Sequence, residues 1–260
     1  MTPVTVITGA SAGIGAALAR VFAANGHDLV LVARRRQRLE ALAAEVAATG
    51  RPPPLVLPID LATPNSAATI GEALAGRGAE PQYVINNAGF GLVGRAHELD
   101  LAEQLAMIDL NMRTLAELSL GFVESLKRHR GGLLNVASVA SFFPGPRSAV
   151  YYASKAFVLS FSEALHAELK PEGVRVTALC PGPVPTEFQA RAGIVEAHPP
   201  RLLVQSAEQV ARAGYRGLMQ GRRIVVPGLV NKLVTALVPR AVPRALLMSK
   251  LDARQSKRQT

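Results

Sequence analysis

Three polar side chains in the middle of the chain have the types and spacing needed for proton transfer. Tyr151 and Lys155 lie four residues apart in a helical pattern, so they share one face of the predicted helix. An ammonium beside a phenol stabilises the phenolate and lowers the pKa of the phenol, which suits acid–base catalysis near neutral pH. Ser138 directly follows a strand-like run, and its hydroxyl could donate a hydrogen bond to a developing alkoxide. Tyr and Lys at this spacing are also common on ordinary helices, so their function depends on the elements around them.

A glycine-rich turn follows the first predicted strand and opens the first predicted helix, with the sequence T-G-A-S-A-G-I-G over residues 8–15. Gly9 would allow a tight turn, Gly13 would let the backbone approach a pyrophosphate, and Gly15 would let the helix pack closely on the sheet. The free N–H groups of a helix N-terminus attract phosphates. The spacing is G-x3-G-x-G and not G-x-G-x-x-G, so a purely structural loop is the alternative. The strand–turn–helix context favours dinucleotide binding.

The end of the second predicted strand indicates which dinucleotide such a turn would bind. About 20 residues past the glycines, an NAD site places an Asp or Glu on the ribose 2′-hydroxyl. Here the strand ends in Ala33-Arg34-Arg35-Arg36, and the first acidic residue is Glu40. A guanidinium can pair with a 2′-phosphate and stack on adenine. We therefore predict NADP(H) in preference to NAD(H), with Arg34 as the first candidate and Arg35 as the second. A solvated basic helix start is the alternative.

Short apolar runs alternate with longer helical patterns along the chain, which predicts how these residues are positioned. The predicted strands are 3–8, 28–33, 54–58, 82–86, 131–136, 174–180 and 222–226. The predicted helices are 13–25, 35–48, 65–76, 100–129, 150–170 and 206–219. This alternation is typical of an α/β, single-domain Rossmann fold with a doubly wound, mostly parallel seven-stranded sheet flanked by helices. We predict one domain over 1–250 and a basic, flexible tail over 251–260. The carboxyl ends of such strands hold ligands.

The composition narrows the protein class. Hydrophobic residues make up 49% of the chain and charged residues 18%, which is typical of a globular protein. The net charge of +10 favours anionic ligands, but Trp is absent and no basic stripe is interleaved with aromatics, so we predict no nucleic-acid binding.

Cys180 is the only cysteine, and no signal peptide precedes the first strand-like run, so we expect a cytoplasmic location. His97, His166 and His198 lack metal-ligand spacing, so we predict no metal.

Taken in chain order, these motifs resemble the short-chain dehydrogenase/reductase family. The turn at 8–15 matches that family's T-G-x3-G-x-G, and residues 86–89 match its N-N-A-G. Asn111, Ser138, Tyr151 and Lys155 match its catalytic tetrad, and the segment 181–186 matches the one that contacts the nicotinamide. The resemblance covers about residues 4–190. It implies an NADP-dependent oxidoreductase that acts on CH–OH groups and interconverts a carbonyl and an alcohol.

The resemblance also implies a role for each matching residue. Tyr151 would be the general acid in reduction and the base in oxidation. Lys155 would lower the pKa of Tyr151 and bind the nicotinamide ribose, while Ser138 would orient the carbonyl. Asn111 would hold a kinked helix and a water that relays protons. The cofactor contacts that it implies, together with those argued above, are Gly9, Ser11, Gly13, Ile14, Gly15, Arg34, Asp60, Asn87, Ala88, Gly89, Tyr151, Lys155, Pro181, Gly182 and Thr186.

Three of these residues have structural alternatives. Asp60 could be a plain helix N-cap, Asn87 could bridge strand backbones, and Thr186 could cap the next helix. The segment 187–200 is expected to form a lid over the substrate. The aromatic and aliphatic residues that could line an apolar pocket, or simply pack in the core, are Phe90, Phe142, Phe143, Phe188 and Ile194.

The apolar, basic segment 227–251 resembles family members that reduce acyl-chain and steroid carbonyls, which favours a lipophilic, small-molecule substrate. A subunit interface or pocket cover is favoured for this segment over contact with a membrane surface. The resemblance further implies a homodimer or homotetramer. The alternative functions are a nucleotide-sensing protein with little turnover and a membrane-associated interaction protein.

Overall fold

Seven parallel strands form one sheet at the centre of the computed structural model, which describes residues 1–194 and 199–256. The strands are β1 (Thr2–Thr8), β2 (Leu29–Val32), β3 (Leu55–Leu57), β4 (Ala79–Asn86), β5 (Gly132–Val136), β6 (Arg175–Leu179) and β7 (Ile224–Val225). Their order across the sheet is β3-β2-β1-β4-β5-β6-β7, and every neighbouring pair is parallel. The predicted doubly wound Rossmann sheet is therefore confirmed.

Helices cover both faces of this sheet. The α-helices are α1 (Gly13–Ala24), α2 (Arg36–Ala47), α3 (Ser66–Ala75), α4 (Leu101–Ile108), α5 (Leu115–Gly121), α6 (Val123–Arg128), α7 (Ala149–Leu169), α8 (Phe188–Arg191), α9 (Ala207–Met219), α10 (Leu229–Ala241) and α11 (Arg244–Ser256). Apolar residues of α1, α2 and α9 pack in the core on one face, and those of α3, α5 and α7 pack on the other.

The apolar strands are buried because both faces are covered. Val6 and Ile7 are neighbours on β1, so their side chains point to opposite faces, and each is fully buried in a different core. Leu133 and Leu134 repeat this arrangement on β5. A strand with one solvated face would alternate buried and exposed residues, whereas consecutive residues of these strands are buried on both faces.

The chain reverses its direction across the sheet between β1 and β4. From β1 it proceeds to β2 and β3 on one side, and it then returns to pair β4 with the other side of β1. The loops after β1 and β4 therefore leave the sheet toward opposite faces and open a crevice at the carboxyl edge. This crevice is where the fold positions the candidate site.

The predicted helix 100–129 is interrupted in the structure. A π-helix, Asp109–Thr114, separates α4 from α5, and Phe122 separates α5 from α6 with a non-helical backbone. Periodicity alone does not predict the π-turn, because the segment stays helical and only its hydrogen-bond pattern changes. Asn111 lies inside the π-helix, at the position where the family resemblance implied a kink.

The last helices run close to the described end of the chain. The predicted tail, 251–260, starts inside α11, where Asp252 pairs with Arg147 at 3.0 Å, so its first residues are helical. Residues 257–260 lie outside the described part. Within the described residues, no helix is both long enough and apolar enough to cross a membrane.

Candidate active site

A cavity of about 730 Å³ lies at the carboxyl edge of the sheet. It is lined by the loops that follow β1, β2, β3, β4, β5 and β6, and by the start of α7. Most residues predicted from the sequence meet there. They are Gly9, Ser11, Gly13, Ile14, Arg34, Asp60, Asn87, Ala88, Gly89, Ser138, Tyr151, Lys155, Pro181, Gly182 and Thr186. Gly15 and Asn111 do not line the cavity; they pack behind its wall.

The glycine turn is held by its close approach to the loop after β4. Gly9 has φ +65°, and a Cβ atom there would lie 2.7 Å from Asn87 Nδ2. A Cβ atom on Gly15 would overlap the carbonyl oxygen of Gly9. A side chain at Gly15 would therefore push α1 away from the turn, as predicted for this position. Ala12, the N-cap residue of α1, makes no side-chain cap, so the first N–H groups of the helix are left for a ligand.

Asn87 joins the loop after β4 to the end of β1. Its Nδ2 donates to the carbonyl oxygens of Thr8 at 3.0 Å and Gly9 at 3.3 Å. The Thr8 hydroxyl in turn accepts from the backbone N–H groups of Asn87 and Ala88, both at 3.0 Å. The bridging alternative for Asn87 is therefore present in the structure, and the side chain still lines the cavity. Thr8, which the sequence arguments did not assign, is the central acceptor.

Lys155 is buried against the end of β5. Its Nζ donates to the carbonyl oxygen of Val136 at 2.8 Å, and the residue is 5% exposed. Burial lowers the pKa of Lys155 to about 8. The ammonium form therefore still predominates at neutral pH. The neighbouring Cys180 is fully buried, and burial raises the pKa of its thiol to about 12, so it stays protonated.

Ser138 and Tyr151 approach the cavity from different elements. Ser138 follows β5 and begins a short 3₁₀-helix, where its hydroxyl accepts from Ala140 N at 3.1 Å. That hydroxyl keeps its own proton to donate. Tyr151 lies one turn before Lys155 on α7, and its ring contacts Phe188, with centroids 5.5 Å apart. Tyr152 also lines the cavity.

Asn111 connects the π-helix to the cavity wall. Its Oδ1 accepts from Phe90 N at 3.1 Å, and its Nδ2 donates to Phe90 O at 2.9 Å. The same Nδ2 donates to Ser154 Oγ at 3.1 Å, and Ser154 donates to the carbonyl of Tyr151 at 2.8 Å. Asn111 therefore positions the backbone beside Phe90 and the turn of α7 that carries Tyr151. Sequence reasoning missed Ser154, although it lies directly before Lys155 in the catalytic motif.

Basic side chains gather at the end of the cavity near β2. Arg34 is 4.0 Å from Asp60, and its side chain is 72% exposed, so it is accessible to a ligand. Arg35 donates from Nε and Nη2 to the Ser11 hydroxyl at 3.2 and 3.0 Å. Asp60 accepts from Ala62 N at 3.0 Å, so it caps a turn. The helix N-cap alternative for Asp60 is wrong, because Asn65 precedes the first residue of α3.

The segment around α8 spans the mouth of the cavity. At its start, Glu187 accepts a hydrogen bond from Arg35 Nη1 at 2.7 Å. At its end, Arg191 donates to Glu103 at 2.7 Å, and the Arg191 guanidinium lies 4.5 Å from the centroid of the Phe90 ring. These contacts hold both ends of α8. The sequence does not predict a role for Glu187, because its partner Arg35 is 152 residues away along the chain.

Thr186 directly precedes Glu187, which is the N-cap residue of α8 and makes no side-chain cap. The Thr186 hydroxyl accepts from Phe188 N at 3.3 Å, and its own N–H donates to Gln189 Oε1 at 3.0 Å. These two bonds begin α8. Thr186 also lies against Gly13, where a Cβ atom would be 3.0 Å from its methyl group. A contact between Thr186 and the cofactor remains a prediction.

The predicted pocket residues divide into two groups. Phe90, Phe188 and Ile194 line the cavity. Phe142 packs against a separate core cluster, which is the other alternative given for these residues. Phe143 does not line the cavity. Part of the predicted lid, 195–198, lies outside the described residues, as does His198.

The histidines that the structure describes make ordinary contacts. His166 Nδ1 lies 2.8 Å from Val176 O, and His97 is an exposed neighbour of Glu98. Over 1–194 and 199–256, no three His, Cys, Asp or Glu side chains are grouped so that they could hold a metal ion.

Comparison with known proteins identifies the family. A sulfoacetaldehyde reductase 2 from Chromohalobacter salexigens is 37% identical over 191 residues, which are 72% of this chain and 75% of the relative. The structure of a short-chain dehydrogenase from Sphingobium yanoikuyae in complex with NADPH has a TM-score of 0.78 and 32% identity, and the match covers 99% of this chain and 95% of that one. A bulky-bulky ketone specific alcohol dehydrogenase from Comamonas testosteroni has a TM-score of 0.75 and 27% identity, with 99% and 93% covered. Residues 3–195 match the family described as short chain dehydrogenase. The chain therefore belongs to the short chain dehydrogenase family of oxidoreductases.

Proposed function

We propose that this protein interconverts a carbonyl and an alcohol by hydride transfer with NADP(H), and that Tyr151 is the general acid and base. One observation carries the proposal. Ser138, Tyr151 and Lys155 line the same cavity as the glycine turn and the exposed Arg34. A proton donor, a hydrogen-bond donor for an alkoxide and a cradle for a dinucleotide therefore line one cavity.

The residues at one end of the cavity fit a dinucleotide. Gly9 and Gly13 have positive φ angles of +65° and +54°, and the uncapped N-terminus of α1 follows directly after them. Uncapped N–H groups and a positive helix end favour a pyrophosphate. Gly9, Ser11, Gly13 and Ile14 would hold the phosphates, and Asn87–Gly89 would line the adenosine side. When bound, the nicotinamide supplies or accepts the hydride.

Each catalytic side chain then has a defined task in reduction. Ser138 donates a hydrogen bond to the substrate oxygen and orients the carbonyl. Tyr151 donates its phenolic proton to the same oxygen as negative charge develops there. The ammonium of Lys155, fixed by Val136 O, stabilises the phenolate that remains. Asn111 positions Phe90 and Ser154, and through them the turn that carries Tyr151. In oxidation, Tyr151 acts as the base.

The charge around the loop after β2 supports NADP(H) in preference to NAD(H). Arg34 and Arg35 flank the cavity, and the Ser11 hydroxyl lies within 3.2 Å of the Arg35 guanidinium. Two cations and a hydroxyl suit a 2′-phosphate. In an NAD site, the carboxylate that binds the ribose hydroxyls follows β2. Here the carboxylate that pairs with Arg34 is Asp60, which follows β3 instead. The NADPH complex of the Sphingobium relative agrees with this choice.

An apolar substrate fits the remaining wall of the cavity. Phe90, Phe188 and Ile194 line it beside Tyr151. We therefore expect a lipophilic ketone or aldehyde, in line with the bulky ketones named for the Comamonas relative. A homodimer or homotetramer and a cytoplasmic location remain predictions.

The decisive experiment compares Tyr151→Phe with Tyr152→Phe. NADPH and NADH are titrated by fluorescence, and turnover is then measured on a panel of aldehydes, ketoacyl thioesters and ketosteroids. Loss of a positioned acid should lower turnover by at least about 100-fold in Tyr151→Phe, with NADPH binding retained. Tyr152→Phe should keep most of its turnover. Near-normal turnover in Tyr151→Phe would refute the proton-transfer role. NADPH binding without turnover of any carbonyl in the wild type would favour a nucleotide sensor.

A further inference from the structure

The helix α10 has two uncharged polar residues, Asn231 and Thr235, turned inward and its leucines turned outward. Asn231 and Thr235 are 2% and 4% exposed, whereas Leu229, Leu233 and Leu237 are 73%, 49% and 59% exposed. The leucines recur every four residues and so form one stripe along the helix. Asn231 lies two residues after Leu229, and Thr235 lies two residues after Leu233. Two residues correspond to about 200° around a helix, so both side chains lie on the face opposite the leucines.

The inward face is held by specific polar contacts. Asn231 Nδ2 donates to Leu203 O at 3.0 Å and to Pro227 O at 3.2 Å, and a Cβ atom on Gly182 would lie 2.5 Å from this amide. Thr235 Oγ1 donates to Asn231 O at 3.0 Å. Because Asn231 fits only against this backbone, α10 cannot rotate to bury its leucines. The exposed stripe is therefore a fixed feature of the folded chain.

The surroundings of the stripe are cationic. Residues 229–256 contain five Lys or Arg residues and one acidic residue, Asp252, which pairs with Arg147. Two of these cations, Lys232 and Arg240, also line a shallow groove whose other walls include Phe142 and Ile224. An apolar stripe flanked by Lys and Arg is the pattern of a helix that lies in a lipid interface.

A second copy of the chain fits this surface poorly. The described face of α10 carries Lys232 and Arg240 and no Asp or Glu, so a second copy docked through the same helix would add like charges and no carboxylate to neutralise them.

We propose that α10 docks on an anionic lipid surface through Leu229, Leu233 and Leu237, with Lys232 and Arg240 contacting the headgroups. The docked helix lies against Gly182, which is part of the cavity wall, so docking would hold the active site close to the lipid. The proposal concerns binding alone and does not depend on the reaction.

The first test uses the absence of tryptophan from the chain. Leu233→Trp introduces a single fluorophore on the stripe, and Leu105→Trp introduces a control on α4, where Leu105 is 51% exposed. The full chain is mixed with phosphatidylcholine vesicles that contain about 30% phosphatidylglycerol or none. Emission of Leu233→Trp should shift to the blue with anionic vesicles and be quenched by lipids labelled in their acyl chains. Emission of Leu105→Trp should not change.

The second test measures partitioning by vesicle flotation. The triple variant Leu229→Ser/Leu233→Ser/Leu237→Ser should lose at least about 10-fold in partitioning to anionic vesicles. The control Leu101→Ser/Leu105→Ser replaces equally exposed leucines and should bind like the wild type. Lys232→Glu/Arg240→Glu should lose the preference for anionic over neutral vesicles. Circular dichroism and NADPH titration check that each variant is folded.

Three outcomes would overturn the proposal. One is a wild-type chain that floats with neither vesicle, and another is a triple-serine variant that still binds. The third is a dimer in solution that the serine substitutions dissociate while vesicle binding is absent, which would identify a second copy as the occupant.

Discussion

Arg35 and Glu187 form an ion pair across the mouth of the cavity, with Arg35 Nη1 2.7 Å from Glu187 Oε2 although 152 residues separate them. Arg35 also holds the Ser11 hydroxyl in the glycine turn. Glu187 directly precedes Phe188, whose ring contacts Tyr151. The glycine-turn end of the cavity and the aromatic wall beside the phenol are thereby linked by two adjacent residues, Glu187 and Phe188.

This pair predicts the effect of Glu187→Gln. A 2′-phosphate near Arg35 would compete with the carboxylate for the guanidinium and would be repelled by it. Removing the charge should therefore tighten NADPH binding by about 3-fold to 10-fold, the scale of a partly exposed charge pair, and change NADH binding little. Fluorescence titration of both dinucleotides at low salt measures this. Glu98→Gln is the control, because Glu98 pairs with Arg95 and His97 away from the cavity lining. Weaker NADPH binding by Glu187→Gln would contradict the competition.

Arg34→Ala tests which arginine reads the phosphate. Among the described residues the exposed guanidinium has only Asp60 as an ion-pair partner, at 4.0 Å, so its loss should mainly weaken binding of the 2′-phosphate. We expect NADPH affinity to fall by at least about 10-fold, the scale of a charge-assisted hydrogen bond, with a much smaller change for NADH. Arg36→Ala is the matched control, since Arg36 pairs with Glu40 on α2 and does not line the cavity. Equal weakening of both dinucleotides would refute the phosphate role of Arg34.

Lys155 predicts a pH dependence of stability in the cofactor-free protein. Burial lowers its pKa from an ordinary 10.5 to about 8, so between these values the unfolded chain binds more protons than the folded one. The free energy of unfolding should therefore rise with pH across this window, by at most about 1.4 kcal/mol per pH unit. Below about pH 8 both states are protonated and the contribution is constant.

The measurement compares wild type with Lys155→Met by urea denaturation from pH 7 to 10.5. The difference between the two proteins isolates Lys155, because Cys180, whose raised pKa acts in the opposite direction, is present in both. The wild type should gain stability relative to the variant as the pH rises above 8. A difference that stays constant over this range would show that the buried ammonium keeps its ordinary pKa.

Gly15→Ala should destabilise the protein and impair dinucleotide binding. The added Cβ atom would overlap Gly9 O, so α1 must move away from the turn, at a cost of about 1–3 kcal/mol. Gly71→Ala on α3 is the control, because a Cβ atom there meets only Phe122 Cε1 at 3.7 Å. The control should be neutral or stabilising by up to about 1 kcal/mol, since alanine favours a helix. Thermal unfolding and NADPH titration of both variants measure the contrast, and equal effects would contradict the packing argument.

Features of this protein that depend on local spacing were predictable before the fold was known. Apolar runs separated by helical patterns predict the parallel sheet, because a strand covered on both faces has no polar side. Tyr151 and Lys155 are one helical turn apart wherever that helix lies. Gly9, Ser138 and Pro181 each follow a strand, and the carboxyl ends of parallel strands meet at one edge, so their convergence on a cavity was predictable.

Contacts between residues that are distant along the chain became visible only in the folded protein. The π-helix that carries Asn111, the pair of Arg35 with Glu187, and the outward leucines of α10 have no local signature. An apolar run is the same in sequence whether its leucines face a core or solvent. Here Asn231, seated against Gly182 and Leu203, decides the orientation, because a buried amide must find hydrogen-bond partners while an exposed leucine costs far less.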